Sequence, residues 1–356
     1  MHDYNHRRQD GMVYAMTNAA GNNEVIAFRR GQAGKLDRMN SYDTGGSGTG
    51  ELIVDPLASQ NSLIISRYGH YLFAVNAGSN TISSFHIADS GALSLADVQP
   101  SGGIRPNSLS IFKELLYVTN VGDPGSNIAS NITGFFVDRY GRLIQIMNST
   151  RPLSTPDAQP SCIVFSPNGR QLVVSELNTN NLSVFQVNRD GTTTGPTANP
   201  SSGNGPFGST FLRSGLLLVT EAGPNALSSY TVEQNGTLDV ISSSVLNGQV
   251  ATCWVAATPC ENFAYVANAG SNTISTYHIN DDGTLELTRV QYSTLKTLAA
   301  PIDIGVSRDG ENFYVLNGNQ GSITVFAIER CGLLNRLQVF RDTGLPTLGS
   351  QGLAVL

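Results

Sequence analysis

The chain has 356 residues, a formal net charge of −6 at pH 7, 40% hydrophobic residues and only 13% charged residues. Its Lys and Arg residues form no cluster larger than a pair, which argues against nucleic acid as a partner. No apolar run approaches the roughly 18 residues of a membrane-spanning helix, so no membrane span is predicted.

Residues 1–10 form a polar lead, which we predict to be disordered and which does not have the form of a signal peptide. Residues 11–50 follow with alternating apolar and polar positions, which predict three strands before the glycine-rich stretch 45–50. The protein is therefore expected to be soluble, and either cytoplasmic or secreted with a leader removed.

A nearly repeated phrase organises the rest of the chain. An apolar strand, an Asn-Ala-Gly-Ser-Asn turn and an alternating strand occur at 71–85 and again at 263–277, with a looser copy at 313–326. A turn with a glycine, followed by leucine in most copies, marks each unit: Gly34, Gly91, Gly141, Gly191, Gly236, Gly283 and Gly332. Their mean separation, (332 − 34)/6, is about 50 residues, so the chain holds about seven units.

The unit that begins near Thr252 shows the internal pattern best. It has a small apolar first strand at 253–257 and further strands at 263–268, 273–278 and 285–290, separated by turns rich in Gly, Asn, Asp and Pro. No segment has a long helical period. Repeated units of four short strands predict an all-β fold, namely a seven-bladed β-propeller with four-stranded blades.

The two ends of the chain predict how the ring closes. Residues 11–18 match a second strand with no first strand before them, whereas 348–356 match a first strand. We therefore predict that the C-terminal strand joins the N-terminal blade, that this pairing removes the exposed sheet edges that an open array would leave, and that 11–356 form one propeller. The other six blades are predicted to start near Ser59, Asn107, Ser161, Phe207, Thr252 and Ile302.

Two stretches depart from the repeat. Residues 123–127 are an insertion between the second and third strands of the third blade. Residues 192–206 are rich in Gly, Pro, Thr and Ser, and this composition predicts a loop.

Three acids are the candidate catalytic residues. Glu176 and Glu221 follow second strands on consecutive blades, at a position where the other five units have Asn. Asn caps such turns, but Glu has no comparable turn role, so the two acids indicate a function. Asp303 precedes an apolar run near the start of an innermost strand; the alternative for it is a solvated rim charge.

A second set of residues is predicted to bind substrate at the mouth of the central channel, where the innermost strands begin. Trp254, the only tryptophan, and Phe207 are either core plugs or the walls of an apolar pocket. The predicted binding residues are Trp254, Phe207, Ser161, Asn107, Gln351, Asn61, Asn268 and Ile302.

No metal and no cofactor are predicted. His2 and His6 have a ligand-like spacing, but they lie in the polar lead without a third ligand. The sequence has no P-loop and no nucleophile elbow. Cys162 and Cys253 lie on apolar strands and are expected to be buried, whereas a disulfide between the remaining two cysteines is left open.

The phrases at 166–170, 205–208, 251–256 and 265–270 resemble the lactonase-type seven-bladed propellers. That group includes 6-phosphogluconolactonase-like proteins and fungal carboxy-muconate lactonizing enzymes, and the resemblance covers nearly the whole chain. It implies the propeller fold and a small organic substrate.

The resemblance also implies which site residues are kept. Glu221 matches a family Glu, and Glu176 stands where an acid is often found. The family's His after one rim Pro and its Arg-His pair after the next look to be replaced by Ser161 and by Phe207-Gly208. Since His and Arg suit proton transfer and oxyanion stabilisation, their loss argues against ordinary lactone hydrolysis.

Three functions remain open. The preferred hypothesis is a cofactor-free cyclase of secondary metabolism, similar to lactonase-like fungal propellers associated with hetero-Diels–Alder steps, which would act by orienting an apolar substrate. The first alternative is a lactone hydrolase or lactonizing enzyme that uses Glu221 and Asp303 with a water. The second alternative is a non-catalytic binding propeller. The sequence does not specify an oligomeric state.

Overall fold

The structure is a computed structural model that describes residues 11–31, 34–294 and 298–356. Seven antiparallel sheets form a ring around a central channel, and in each sheet the strands run outward in chain order after the innermost one. Six sheets have four strands, and the third blade has a short fifth. The predicted all-β, seven-bladed propeller is confirmed, while the predicted lead at 1–10 lies outside the described residues.

The innermost strands, beginning with that of the N-terminal blade, are Leu353–Val355, Leu63–Ile65, Pro106–Phe112, Pro160–Phe165, Pro206–Phe211, Thr252–Ala257 and Pro301–Val306. The second strands are Met12–Met16, Tyr71–Asn76, Leu115–Asn120, Gln171–Glu176, Leu217–Glu221, Phe263–Asn268 and Asn312–Asn317. The third strands are Glu24–Arg30, Thr81–Ile87, Asn131–Val137, Asn181–Val187, Ala226–Val232, Thr273–Ile279 and Ser322–Ile328. The outer strands are Leu36–Asp43, Leu93–Pro100, Leu143–Gln145 with Arg151–Pro152, Thr193–Pro200, Leu238–Leu246, Leu285–Tyr292 and Leu334–Phe340.

Burial explains the composition of each strand position. Second strands such as Phe263–Asn268 are buried at nearly every residue, because neighbouring blades cover both faces of the sheet. An outer strand such as Leu285–Tyr292 instead leaves most of its side chains at the surface. Apolar side chains of adjacent blades pack against each other, as Tyr117 does on Phe165 with ring centroids 6.1 Å apart.

The glycine that marks each repeat also joins neighbouring blades. Buried tyrosines on three second strands donate to the marker-glycine carbonyl of the next blade. The pairs are Tyr14–Gly91 at 2.9 Å, Tyr117–Gly191 at 2.8 Å and Tyr265–Gly332 at 3.0 Å. All seven marker glycines have positive φ, a conformation that costs other residues free energy. The repeat marker therefore has a structural origin.

The ring closes as the sequence predicts. Leu353–Val355 pairs antiparallel with Met12–Met16, with Val13 opposite Val355 and Ala15 opposite Leu353. The backbone N–H of Leu356 also donates to the carbonyl of Met12 at 2.8 Å. Both ends of the described chain thus lie in one sheet, and the innermost strand of the N-terminal blade is its C-terminal one.

Two local predictions need correction or refinement. The predicted loop at 192–206 is wrong, because it contains the outer strand Thr193–Pro200, which pairs with Asn181–Val187 through a bulge. Pro and Gly are tolerated there because an outer strand has one unpaired edge. The innermost strand of the second blade begins at Leu63 rather than near Ser59. No helix of the described residues is long and apolar enough to cross a membrane.

Candidate functional site

The channel is crossed by residues 55–61 at the end where the innermost strands begin; we call these residues the plug segment. The carbonyl oxygen of Ser59 accepts hydrogen bonds from Trp254 Nε1 at 3.0 Å and from Gln351 Nε2 at 2.7 Å. Leu57 N donates to Gln351 Oε1 at 2.8 Å. The plug segment precedes the second blade, so these bonds tie it to the sixth and first blades across the channel.

Gln60 ties the plug segment to two further strands and adds a second bond to the strand of Trp254. Its backbone N–H donates to the carbonyl of Ser161 at 2.9 Å, and its Nε2 donates to the carbonyl of Ser209 at 3.1 Å. Its Oε1 accepts from the backbone N–H of Val255 at 2.9 Å. Asn107 Nδ2 adds a bond to the carbonyl of Leu57 at 3.3 Å. These bonds connect the plug segment to several blades, which holds this end of the channel closed.

Most of the predicted binding residues meet at this closed end. Trp254, Gln351, Ser161 and Asn107 are buried and bond to the plug segment, and Asn61 is its last residue. The ring of Phe207 packs edge-on against Trp254 at 5.2 Å, and Ile302 is buried in the same core cluster. Their role in substrate binding stays a prediction.

Asn268 lies apart from this group. Its side chain bonds to Thr273, Ser275, Asn247 and Thr252, at 2.7 to 3.1 Å. These partners belong to the same blade and to the loop that leads into it. The Asn268 side chain therefore stabilises its own blade.

Glu176 and Glu221 occupy the equivalent position on their blades. The Glu221 carboxylate accepts from four hydroxyls: Ser201 at 3.1 Å, Ser228 at 2.8 Å, Tyr230 at 3.1 Å and Ser244 at 2.5 Å. Glu176 accepts from Ser154 N at 3.1 Å, from Ser154 Oγ, and from Thr179 Oγ1 at 2.7 Å. Both acids are fully buried at the position where the other blades have Asn. Their carboxylates accept hydrogen bonds from hydroxyl groups.

Asp303 lies in a bulge of its innermost strand, between Ile302 and Ile304. Its φ of 34° is unusual for a residue with a side chain, and such strain is concentrated at functional sites. Its Oδ2 accepts from the backbone N–H of Gly352 at 2.7 Å. Burial and, to a smaller extent, the nearby charge of Asp55 raise the pKa of Asp303 to about 8. The carboxyl is therefore mostly protonated at neutral pH.

Asp55, at the start of the plug segment, was not among the predicted site residues. Burial raises its pKa to about 7, and hydrogen bonding from Gln351 offsets part of that rise. The only sequence signal was its place in an Asp-Pro turn just before an innermost strand. Asp55, in the plug segment, and Asp303, on the innermost strand of the seventh blade, are thus two carboxyl groups with raised pKa values.

The opposite end of the channel holds a cavity of about 870 Å³. Its walls include the last residues of the innermost strands and are about equally polar and apolar, with Ile65, Phe112, Phe211 and Val306 among the apolar side chains. Asn61 lines this cavity and its Nδ2 donates to Cys162 Sγ at 3.5 Å, which marks its inner end. Ile304, the neighbour of Asp303, also lines it. Asp303 thus lies behind the wall of an open cavity, one residue from Ile304, and the charge of Asp55 is near enough to raise its pKa.

Three arginines line the same cavity: Arg67, Arg213 and Arg308. Each lies in the turn that follows an innermost strand, two residues before the glycine of that turn, on the second, fifth and seventh blades. Sequence reasoning missed them because it considered only the loops that lead into the innermost strands. Aligning the turns after those strands would have revealed a basic residue at one repeated position.

Cys162 and Cys253 are buried, and Cys260 and Cys331 are exposed; all four are free thiols, so the disulfide left open by the sequence is not formed. Burial raises the pKa of the Cys162 thiol to about 12, which makes it a poor nucleophile at neutral pH. Within 11–31, 34–294 and 298–356, no group of three His, Cys, Asp or Glu residues could hold a metal ion.

The sequence matches the family described as lactonase, 7-bladed beta-propeller, over residues 9–139 and 224–348. The match leaves out 140–223, the stretch that contains Ser161, Glu176, Phe207 and Glu221. The comparison with curated proteins found no match.

Several solved structures are similar to this chain. A candidate 6-phosphogluconolactonase from Bacteroides fragilis has 18% sequence identity and a TM-score of 0.76, with 98% of each chain covered. The periplasmic gluconolactonase of Pseudomonas aeruginosa has 18% identity and a TM-score of 0.74, again with 98% of each chain covered. Virginiamycin B lyase from Staphylococcus aureus is more distant, with 16% identity and a TM-score of 0.57 over 82% of this chain and 87% of that one. At these identities the likeness extends to the fold alone.

Proposed function

Since the chain belongs to the lactonase family of seven-bladed β-propellers, we propose that it acts on a lactone ring, either opening it with water or closing it from the open-chain acid. The observation that carries this proposal is Asp303, a protonated, strained carboxyl behind the wall of an open cavity. A carboxylic acid that stays neutral at pH 7 can donate a hydrogen bond to a carbonyl oxygen.

In the hydrolytic direction, water adds to the lactone carbonyl carbon, and negative charge develops on the carbonyl oxygen. A hydrogen bond from neutral Asp303 stabilises that charge. The ring C–O bond then breaks, and the proton lost by the attacking water ends on the released alkoxide oxygen. Asp55, with a pKa of about 7, is the nearby group that can carry this proton. The lactonizing direction runs through the same steps in reverse.

Glu221 has a different role in this proposal from the one predicted from the sequence. Its carboxylate already accepts four hydroxyl hydrogen bonds, which leave little acceptor capacity for a water. We therefore assign the chemistry to Asp303 and give Glu221 the task of anchoring the fifth blade.

The test is turnover of a panel of γ- and δ-lactones by the wild-type protein, by Asp303→Ala and by Asp303→Asn. Alanine has no donor, so Asp303→Ala should lose at least a hundredfold in kcat per folded molecule, within the range for removing one oxyanion donor. The amide of Asp303→Asn still accepts from Gly352 N–H and still has an N–H donor, so this variant should lose less. Asp239→Asn, an exposed change on an outer strand, is the control for the loss of one acid and keeps full activity. Equal loss in Asp303→Ala and Asp239→Asn, or no loss in Asp303→Ala, would contradict the assignment.

The cavity walls favour a second candidate, the cofactor-free cyclase. They contain no Asp, Glu or His among the described residues and include apolar side chains such as Phe112 and Phe211, which suit a bulky substrate held by shape. Orientation alone can supply much of the rate of an intramolecular cyclisation. In this case Asp303→Ala keeps the rate, whereas Phe211→Ala widens the cavity and lowers the stereochemical purity of the product. No turnover of any lactone or cyclisation substrate would leave a non-catalytic binding propeller.

A further inference from the structure

The cavity at the open end of the channel contains cationic side chains that form no ion pair with any acid in the described part of the chain. Arg308 is an exposed residue, and its described hydrogen bond goes to the carbonyl of Ser66, at 3.0 Å. Partial burial of its guanidinium still lowers the pKa of Arg308, as expected for a cation moved partly out of water without a compensating anion. Arg67 lies next to Ser66 in the chain and also lines the cavity.

The acids near these arginines are bound elsewhere. Asp309 pairs with Arg30 at 2.6 Å, and this hydrogen bond is the main factor that lowers the pKa of Asp309 to about 2 despite its partial burial. Glu261 accepts from the backbone N–H groups of Arg213 and Ser214. No Asp or Glu is among the described residues that line the cavity. In a chain with a net charge of −6, this end of the channel is locally basic.

The walls beside these cations are apolar, with Ile65 before Arg67, Phe211 before Arg213 and Val306 before Arg308. Each blade that contributes an arginine thus also contributes an apolar side chain two residues earlier, at the end of its innermost strand. A ligand that suits both features has a negative head group and an apolar body. Arg is the side chain that best pairs with carboxylate or phosphate oxygens.

We propose that this cavity binds an amphiphilic organic anion, with its carboxylate or phosphate held by Arg308 and Arg67 and its apolar body against the strand ends. The proposal rests on the proposed function in identifying this anion as a substrate or product, since opening a lactone creates a carboxylate. Binding itself can be measured without turnover, so the two proposals can fail separately.

The experiment compares two fluorescent probes of the same shape, 1-pyrenebutyrate and 1-pyrenebutanol, by titration followed by anisotropy. We expect the anion to bind about tenfold more tightly than the alcohol, which corresponds to one charge-assisted interaction at a partly exposed site. Added salt should weaken the binding of the anion and leave the alcohol unchanged. Arg308→Gln and Arg67→Gln should each reduce the preference, whereas Arg308→Lys keeps most of it.

Arg289→Gln removes the same charge from an exposed outer strand and is the matched control; it should leave the preference unchanged. The affinity of each variant for 1-pyrenebutanol reports whether the cavity is intact. Equal affinities for both probes in the wild-type protein, or equal effects of Arg308→Gln and Arg289→Gln, would overturn the inference. Preferential anion binding in a protein that turns over no lactone would support the inference and remove the proposed function.

Discussion

Trp254 and Ser59 are joined across the channel by a hydrogen bond of 3.0 Å, from the indole Nε1 to the carbonyl oxygen. The two residues are 195 positions apart and belong to the sixth blade and to the plug segment. Trp254 is 1% exposed, so its donor has no access to water as an alternative. The only tryptophan of the chain therefore holds the plug segment in place as well as packing against Phe207.

Trp254→Phe should separate these two roles. Phenylalanine keeps an aromatic ring against Phe207 but has no donor, and Ser59 keeps its bond from Gln351. We expect a loss of about 1 kcal/mol in the free energy of unfolding, the usual net value of one hydrogen bond. The backbone N–H of Gln60 should also exchange with deuterium faster. Tyr68→Phe, at an exposed aromatic, is the control, and an unchanged exchange rate at Gln60 would mean that the indole does not hold the plug segment.

The paired carboxyls predict how stability depends on pH. Asp303 and Asp55 have folded-state pKa values of about 8 and about 7, above the value of about 3.9 expected for Asp in the unfolded chain. The folded state therefore binds protons more tightly. This stabilisation is complete below pH 4 and is lost as the pH rises to 8, so the free energy of unfolding should fall over that window.

The measurement is urea unfolding at several pH values between 4 and 9. The side chain of Asp303→Asn does not titrate, so in this variant the free energy of unfolding should fall less steeply with pH. The double variant Asp303→Asn, Asp55→Asn should show a still weaker dependence. Asp239→Asn should reproduce the wild-type slope. A slope that is the same in Asp303→Asn and the wild-type protein would assign the effect to other groups.

The fold could be predicted from the sequence because each blade repeats the same local signals. Strand period, turn residues and marker glycines recur seven times, so the repeat is visible even where one unit departs from it. The outer strand Thr193–Pro200 is not predicted because Gly and Pro indicate loops by composition, although the strand forms a hairpin with Asn181–Val187, which precedes it. Composition does not reveal that the unpaired edge of an outer strand tolerates these residues.

The site was less predictable because it depends on how the ring brings distant residues together. The sequence placed Trp254, Ser161 and Gln351 at one end of the channel, but gave no sign that residues 55–61 would cross it. Glu221 stood out by its residue type, yet its four hydroxyl partners come from three separate strands and loops. Arg308 could not be singled out from the sequence, because only the folded structure shows that it lines a cavity that has no Asp or Glu among its described residues.

Gly91→Ala tests the structural role of the marker glycines. Gly91 has a φ of 82°, and an added Cβ would lie 2.4 Å from the side chain of Met12. We expect a loss of about 1–3 kcal/mol in the free energy of unfolding, from backbone strain and from displacement of the Tyr14 bond. Gly21→Ala, where an added Cβ meets nothing within 4 Å, is the control and should change stability little. Similar effects of both changes would mean that the marker position is not special.

Glu221→Gln distinguishes an anchoring role from a catalytic one. The new amide nitrogen donates where the carboxylate accepted, so it opposes the hydroxyls of Ser228 and Ser244, which are held at 2.8 and 2.5 Å. We expect the free energy of unfolding to fall by about 1–3 kcal/mol, the cost of leaving buried groups imperfectly paired. The kcat of the folded fraction for a lactone should stay within a few-fold of the wild-type value. Glu233→Gln, at an exposed turn, controls for the loss of one charge. A hundredfold loss of kcat with unchanged stability would return Glu221 to the catalytic set and remove the assignment of the chemistry to Asp303 alone.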